Sequence, residues 1–289
     1  MRKQGSLLVV LVAACVALFA ACTPAPVPTT TTTTIAAAAD CTARGPGVDL
    51  QGCNLVGANL VGANLTGANL TGANLTRANL VVANFTGATL TGATLTGADL
   101  TLTDLTLTNL TDTDLTGGNL RFANMRGANP TRATLTDANL TGVDLTGATL
   151  IGVRSGGITG TPIALPAGYQ FINAYIIGPG VNLTNANLYG ANLDDAYLPY
   201  ANLTDANLTS TNLYSAELSF ANLTGADMTN ANMNYAYLYG ADMTNANLTG
   251  ALMDYANLTN ADLTGVTWSG TTCPNGVVQS TECPRTKAG

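Results

Sequence analysis

From Leu50 onward a large apolar residue recurs at every fifth position, through Leu55, Leu60, Leu65, Leu70, Leu75 and Leu80 to Leu150; Phe85 and Met125 vary its type and Pro130 breaks the run. Two residues before each stands a small one, as at Ala58, Ala63, Ala68 and Ala73, with Thr103, Thr108, Thr113 and Gly118 as variants. A helix cannot use this spacing, because five steps of about 100° carry each successive leucine around the axis. A flat strand cannot either, since alternation would send successive leucines to opposite faces. A period of five therefore demands a turn in every repeat. If the small and the large residue both point inward, and the chain turns at the Gly-rich and Asn-rich positions between them, each pentapeptide becomes one side of a coil.

The pattern resumes at Leu183 and runs through Leu188, Leu193 and Leu198 to Leu258 and Leu263, with Met228, Met233, Met243 and Met253 as variants. Trp268 is expected at its last inward position, plugging the end. The interval from Leu150 to Leu183 is not a multiple of five, so residues 151–180 read as an insertion that resets the frame. Turn signals at Gly156-Gly157, Pro166-Ala167-Gly168 and Gly178-Pro179-Gly180 flank the apolar runs Thr161 to Leu165 and Tyr169 to Ile177, which predicts an inserted β-hairpin.

Runs such as Ala63-Asn64-Leu65-Thr66-Gly67 and Ala246-Asn247-Leu248-Thr249-Gly250 resemble the A(D/N)LXX motif of the pentapeptide repeat family. The resemblance implies an all-β fold, a right-handed quadrilateral β-helix with about twenty residues per coil. About ten coils at ~4.8 Å each would make a stack of roughly 47 Å.

The N-terminus has basic Arg2 and Lys3, an apolar run from Leu7 to Ala21, and Cys22. This is the pattern of an export signal, too short for a membrane-spanning helix of about 20 residues. Leu18-Phe19-Ala20-Ala21-Cys22 resembles the lipobox of bacterial lipoproteins, with Phe19 where that pattern usually has Leu. The resemblance implies lipidation at Cys22 and a membrane anchor; plain secretion and an uncleaved anchor stay open. Next come alternating prolines, six threonines (Thr29 to Thr34) and four alanines (Ala36 to Ala39), a stretch that cannot bury a core and reads as a disordered tether. The predicted organisation is a signal peptide over 1–21, tether over 22–40, first repeat array over 41–150, insertion over 151–180, second array over 181–268, and a C-terminal Cys loop and tail over 269–289. The expected location is outward on the cell membrane, or secreted.

Setting aside Cys15 in the signal and Cys22 leaves Cys41 with Cys53 and Cys273 with Cys283, one pair at each end of the repeats. In an oxidising compartment these read as two local disulfides; the alternative for Cys53 is a small buried residue in a position otherwise held by Ala. With no His and no Cys-x-x-Cys, neither metal nor other cofactor is expected. The formal charge of −7 includes no basic patch, so nucleic acid is not an expected partner. The parts of common hydrolase and nucleotide sites are missing, and Asp194 and Asp195 fall on an outward corner, so no catalytic residue is assigned and no enzyme is expected. The threonines after the inward residues do not pair coil to coil as a flat ice-binding plane requires. Asn-Leu-Thr triplets are by-products of the repeat.

Aromatic residues avoid the first array and gather in the second: Tyr197, Tyr200, Phe220, Tyr235, Tyr237, Tyr239 and Tyr255 fall outside the inward positions, as do Tyr189 and Tyr214. At twenty residues per coil, Tyr200 lies under Phe220 and Tyr235 under Tyr255, which predicts an exposed aromatic stripe. Such a stripe can stabilise the ladder between coils, bury itself in an envelope protein, or stack on cell-wall glycan. The family's best-known activity is protection of DNA gyrase by proteins similar to a DNA duplex, from which this chain departs in its export signal, sparse acids and closed end. The leading expectation is a non-enzymatic envelope scaffold or protein-interaction module, with glycan binding second and a topoisomerase inhibitor remote.

Overall fold

The computed structural model describes residues 40–286; the predicted signal peptide, Cys22 and all of the tether but Asp40 lie outside the described residues. Each pentapeptide forms one side of a coil, and four sides return the chain to its starting direction after twenty residues. The residue before each leucine bridges its equivalent twenty positions on, in parallel: Asn54 with Asn74, Asn59 with Asn79, Asn64 with Asn84, and Asp49 with Asn69. These four ladders define sides 1, 2, 3 and 4. Their bonds run both ways, as where Leu50 N donates to Asn69 O (2.7 Å) and Asn69 N to Val48 O (2.9 Å). The backbone groups along a side are thereby paired between neighbouring coils.

The turns explain the rest of the motif. In each, the N–H three residues after a leucine donates back to the leucine carbonyl, as from Ala58 to Leu55 (3.0 Å). The third turn residue has positive φ, +64° at Gly57, which is where glycine or asparagine costs least. Asn at the bridge position accepts from the residue two further on: Asn64 Oδ1 takes both Thr66 N (3.2 Å) and Thr66 Oγ (2.7 Å). Thr103, buried at a small inward position, donates its hydroxyl to Leu80 O (2.9 Å), so the interior tolerates it. The leucines at the inward positions from Leu65 to Leu150 are fully buried and form one core with those of the second array, whereas Leu102 and Leu107, at turn positions, are exposed. Pro130 is buried at its inward position, but without an N–H it cannot donate, and the ladder on side 4 has no bridge from Asn129 to Thr149.

The insertion is one enlarged coil within a continuous stack. Side 1 runs unbroken from Asn54 to Asp262, through Arg154 bridged to Asn182, so the coil between them takes eight residues more than the usual twenty. Sides 2 and 3 stop at Thr159 and Ala164 and resume at Asn187 and Asn192. The hairpin consists of β1 (Gln170–Ile172) and β2 (Tyr175–Ile177), joined by Asn173 and Ala174, both at positive φ. Both strands come from the second apolar run; the first supplies Ala164 to the side 3 ladder instead. Ile176 and Ile177 are buried in the core, and Tyr175 Oη accepts the N–H of Asn187 (3.0 Å) where the side 2 ladder is interrupted.

At the C-terminal end the stack goes further than the sequence pattern indicates. Trp268 is only partly buried, while Cys273, twenty residues after Met253, is fully buried at the next inward position. Met253 N donates to Thr272 O (2.9 Å), and Leu258 N to Arg285 O (2.8 Å), so the returning tail completes the last coil on side 4. Strands β3 (Thr271–Thr272) and β4 (Val278–Gln279) pair antiparallel beside it. The reason is visible in the bonds: closure of the end rests on backbone carbonyls and a cysteine bridge, and a single large ring is not needed for it.

Candidate contact surface

Eight aromatic residues of the second array come together on side 4 and its two corners, whereas Tyr189 stands apart on the corner between sides 2 and 3. Tyr197, Glu217 and Tyr237 are consecutive members of the side 4 ladder. The corner leading from side 4 to side 1 carries Tyr200 stacked on Phe220 (centroids 5.3 Å apart, planes within 8°), with Tyr239 edge-on to Phe220 at 5.5 Å. Tyr237 lies 6.2 Å from Tyr239 with its plane turned by 13°, so these four rings form one connected group. The corner leading into side 4 carries a second group, with Tyr235 stacked on Tyr255 (4.8 Å, 2°) and Tyr214 tilted against Tyr235 at 5.3 Å. All of these rings but that of Tyr239 are exposed, from 40% at Tyr214 to 67% at Tyr200.

Local backbone puts them there. Tyr200, Phe220, Tyr235 and Tyr255 occupy the positive-φ position of their turns, at +60°, +56°, +62° and +63°, where side chains point away from the core. That conformation costs an L residue roughly 1–2 kcal/mol, which ring contacts between coils help to offset. Space for a ring is made by glycine in the next coil: a Cβ at Gly240 would come within 2.7 Å of Phe220 Cε1. The insertion borders the same surface, since a Cβ on Gly168 would lie 3.5 Å from Tyr197 Cδ1. Near-parallel stacking along the coil axis turns ring faces toward one another, leaving edges and hydroxyls to solvent.

Charge divides the stack unevenly. Between Arg154 and Arg285 the sequence holds no lysine, arginine or histidine. Glu217 Oε1 accepts from Ser219 N (2.9 Å), and Asp194 and Asp195 are exposed at the corner leading into side 4. Among the described residues none of these three carboxylates has an ion pair.

A groove of about 690 Å³, lined by residues including Asp114, Arg132, Arg154, Gly152 and Gly180, crosses the enlarged coil where two consecutive glycine corners leave the surface low. Arg132 is held by Asp112 through two bonds of 2.7 and 2.6 Å, which draws the Asp112 carboxyl below its ordinary range. Burial opposes ionisation of Asp114, but bonds from Thr116 and Thr96 outweigh it and hold this carboxyl low as well. Sequence reading passed over this groove; the signal was the twenty-residue interval from Asp112 to Arg132. Among the described residues no cluster of His, Cys, Asp and Glu is placed to hold a metal ion, and no helix is long and apolar enough to cross a membrane.

The cysteines outside the N-terminus are joined as Cys41–Cys53 and Cys273–Cys283, with Cα atoms 5.4 and 5.3 Å apart. Cys53 is buried in the small inward position of its repeat as well as bridged. The Cys41–Cys53 bridge is at the far end from the aromatic side, whereas Cys273–Cys283 adjoins it, since Tyr255 N donates to Pro274 O (3.0 Å).

Several solved structures are similar to this chain. HetL, a pentapeptide repeat protein involved in heterocyst differentiation regulation in the cyanobacterium Nostoc sp. strain PCC 7120, is 29% identical over 81% of this chain and 92% of its own, with a TM-score of 0.33. A pentapeptide repeat protein of the Arabidopsis thaliana thylakoid lumen is 36% identical over 38% of this chain and 71% of its own, with a TM-score of 0.29. QnrB1, a plasmid-mediated fluoroquinolone resistance protein, is 17% identical over 74% of this chain and 89% of its own, with a TM-score of 0.31. No curated protein sequence matches. The family model described as pentapeptide repeats matches in eight copies, over residues 47–80, 83–121, 119–151, 180–213, 211–250 and 231–270. With twenty-residue coils, parallel ladders on four sides and that match over more than half its length, this chain belongs to the pentapeptide repeat family, whose right-handed quadrilateral β-helix it adopts.

Proposed function

We propose that this chain is an exported, non-enzymatic β-helical scaffold of the bacterial envelope that docks a protein partner on side 4 of its second array. The observation that carries the docking reading is the gathering of eight aromatic residues, Tyr214 with the seven named from the sequence, on one side and its corners while the first array keeps its sides nearly free of rings. Exposed apolar rings gathered on one face mark a contact surface, where scattered ones do not. Export is supported by the Arg2-Lys3 start, the apolar run to Ala21 and the lipobox-like Cys22, and a lipid there would hold the repeats to a membrane through the Thr- and Pro-rich tether. Two end-closing disulfides fit an oxidising compartment. Glycan binding is the second reading, favoured by the exposed ring of Tyr197 beside the insertion and disfavoured by stacking that occupies ring faces a sugar would need. At 17% identity, nothing of QnrB1 beyond the family is extended to this chain.

Intact-mass spectrometry of membrane and culture fractions tests the first half: a chain beginning at a lipidated Cys22 is expected, and an unprocessed chain in the cytosol would sink it. Capture of envelope proteins by the purified repeats, compared with capture by a Tyr200→Ala/Tyr235→Ala variant, tests the second. Loss of the same bands in the variant is expected. Unchanged capture would remove the aromatic side from the function, and capture of cell-wall polysaccharide in place of protein would move the assignment to glycan.

A further inference from the structure

We infer that side 4 recognises a cationic protein segment, with the carboxylate of Glu217 and the flanking rings of Tyr197 and Tyr237 receiving an arginine or lysine side chain of the partner. The inference rests on the docking reading above and specifies its chemistry. Three observations converge on it.

The first is position. Tyr197, Glu217 and Tyr237 bridge one another in successive coils, so their side chains leave the same side at steps of about 4.8 Å. A carboxylate is thus held between two tyrosine rings, all three pointing outward from a rigid ladder. The spacing matches a single guanidinium, which can hydrogen-bond the carboxylate in its plane and lie against the face of Tyr197 and the edge of Tyr237, whose face is turned to Tyr239. The second is availability. One oxygen of Glu217 is occupied by Ser219 N, which fixes the orientation of the carboxylate and leaves the other oxygen without a hydrogen-bond partner among the described residues. The third is charge. No basic residue occurs between Arg154 and Arg285, and Asp194 and Asp195 add further unpaired acids at the adjoining corner. A surface that carries acids and rings and has no cation of its own is complementary to a cationic partner and repels an acidic one.

The test uses the purified disulfide-bonded repeats and a short labelled peptide alternating arginine with glycine, with a matched peptide carrying glutamate for arginine, read by fluorescence anisotropy at about 0.15 M salt, where long-range attraction is screened. Glu217→Gln keeps an acceptor for Ser219 N and removes one charge. Asp242→Asn removes one charge from the side 1 ladder, where Asp242 accepts from Thr244 N (3.0 Å) in the same way. The expected result is binding of the arginine peptide alone, weakened about tenfold by Glu217→Gln and far less by Asp242→Asn, because a charge-assisted bond is lost in one and only diffuse potential in the other. Tyr197→Ala/Tyr237→Ala, which leaves the carboxylate in place, is also expected to weaken binding. Equal weakening by the two charge variants would overturn the inference, since it would mean attraction to the whole acidic chain. Absence of binding by the arginine peptide would overturn it too. If envelope capture still depends on Tyr200 and Tyr235 in that case, the docking reading stands without the cationic partner; if it does not, both fall.

Discussion

A pentapeptide has two inward positions, and what the other three residues do is set by φ. The third turn residue is left-handed in the repeats, and the chain fills it with glycine or with a larger residue, some of which gain a contact with a neighbouring coil. Phe122 illustrates the second case: its φ is +58°, its ring lies over Gly142 in the next coil, and Arg121 stands 5.5 Å from the ring centroid. Gly142 therefore has two duties, a left-handed backbone at +73° and a floor for the ring, whereas Gly92, at +64°, has only the first, with nothing near a Cβ placed on it. Gly92→Ala should cost about 1 kcal/mol for the backbone alone. Gly142→Ala should cost about 1–3 kcal/mol more, because its Cβ would lie 2.7 Å from Phe122 Cε1 and the ring must move. Urea denaturation of the two variants decides between these cases. Equal losses would show that the glycine is selected for its backbone only, and that aromatics on these corners do not depend on the coil above.

An element here is one side of the stack, and its strength lies in an uninterrupted ladder. Side 1 keeps its ladder through the insertion, while side 4 has lost the bridge at Pro130 even before the chain leaves the regular repeat. Pro130→Leu would restore the donor that faces Thr149, as Leu110 N faces Asn129 O at 2.9 Å, and should stabilise the repeats by about 1 kcal/mol. Pro130→Ala restores the donor without the larger side chain and should recover part of that gain. If both variants unfold at lower urea than the parent, the missing bridge is not a weak point. The recurrence of Leu50, Leu55 and Leu60 was enough to place the core, because the period of five is physically unambiguous. The twenty-residue interval likewise placed Tyr200 under Phe220 and Tyr235 under Tyr255. What the interval could not show was contact across a corner: Tyr214 meets Tyr235 at an interval of twenty-one and Phe220 meets Tyr239 at nineteen, since neighbouring turn positions lean toward each other between coils. Nor could it show that Arg154 and Asn182 are partners, because the extra residues of the enlarged coil interrupt sides 2, 3 and 4 and leave side 1 in register.

Over the described residues as a whole, each coil touches only the coils before and after it, so stability is a sum of neighbouring interfaces and the ends are the places from which the stack frays. Both ends are closed by cysteine bridges over short separations, 12 residues for Cys41–Cys53 and 10 for Cys273–Cys283. At the C-terminal end the closure does more than tie a loop, because Arg285 supplies the carbonyl for Leu258 N and its guanidinium bonds Ala261 O. Removing the bridge by Cys273→Ser/Cys283→Ser releases those acceptors along with the cross-link, which for a loop of this size is worth about 2–3 kcal/mol. The consequence should be local. Amides of Leu248, Met253 and Leu258 are expected to lose hydrogen-exchange protection, while those of Leu95, Leu100 and Leu105, many coils away, keep theirs. Tyr255 stands in the last coils before the closure, so this fraying would reach one corner of the aromatic side and spare Tyr197 and Tyr200. Protection lost evenly along all coils would mean that the stack unfolds as one cooperative unit, in which the C-terminal bridge governs the whole contact surface; loss confined to the end would mean that each part of that surface is held by its own neighbours.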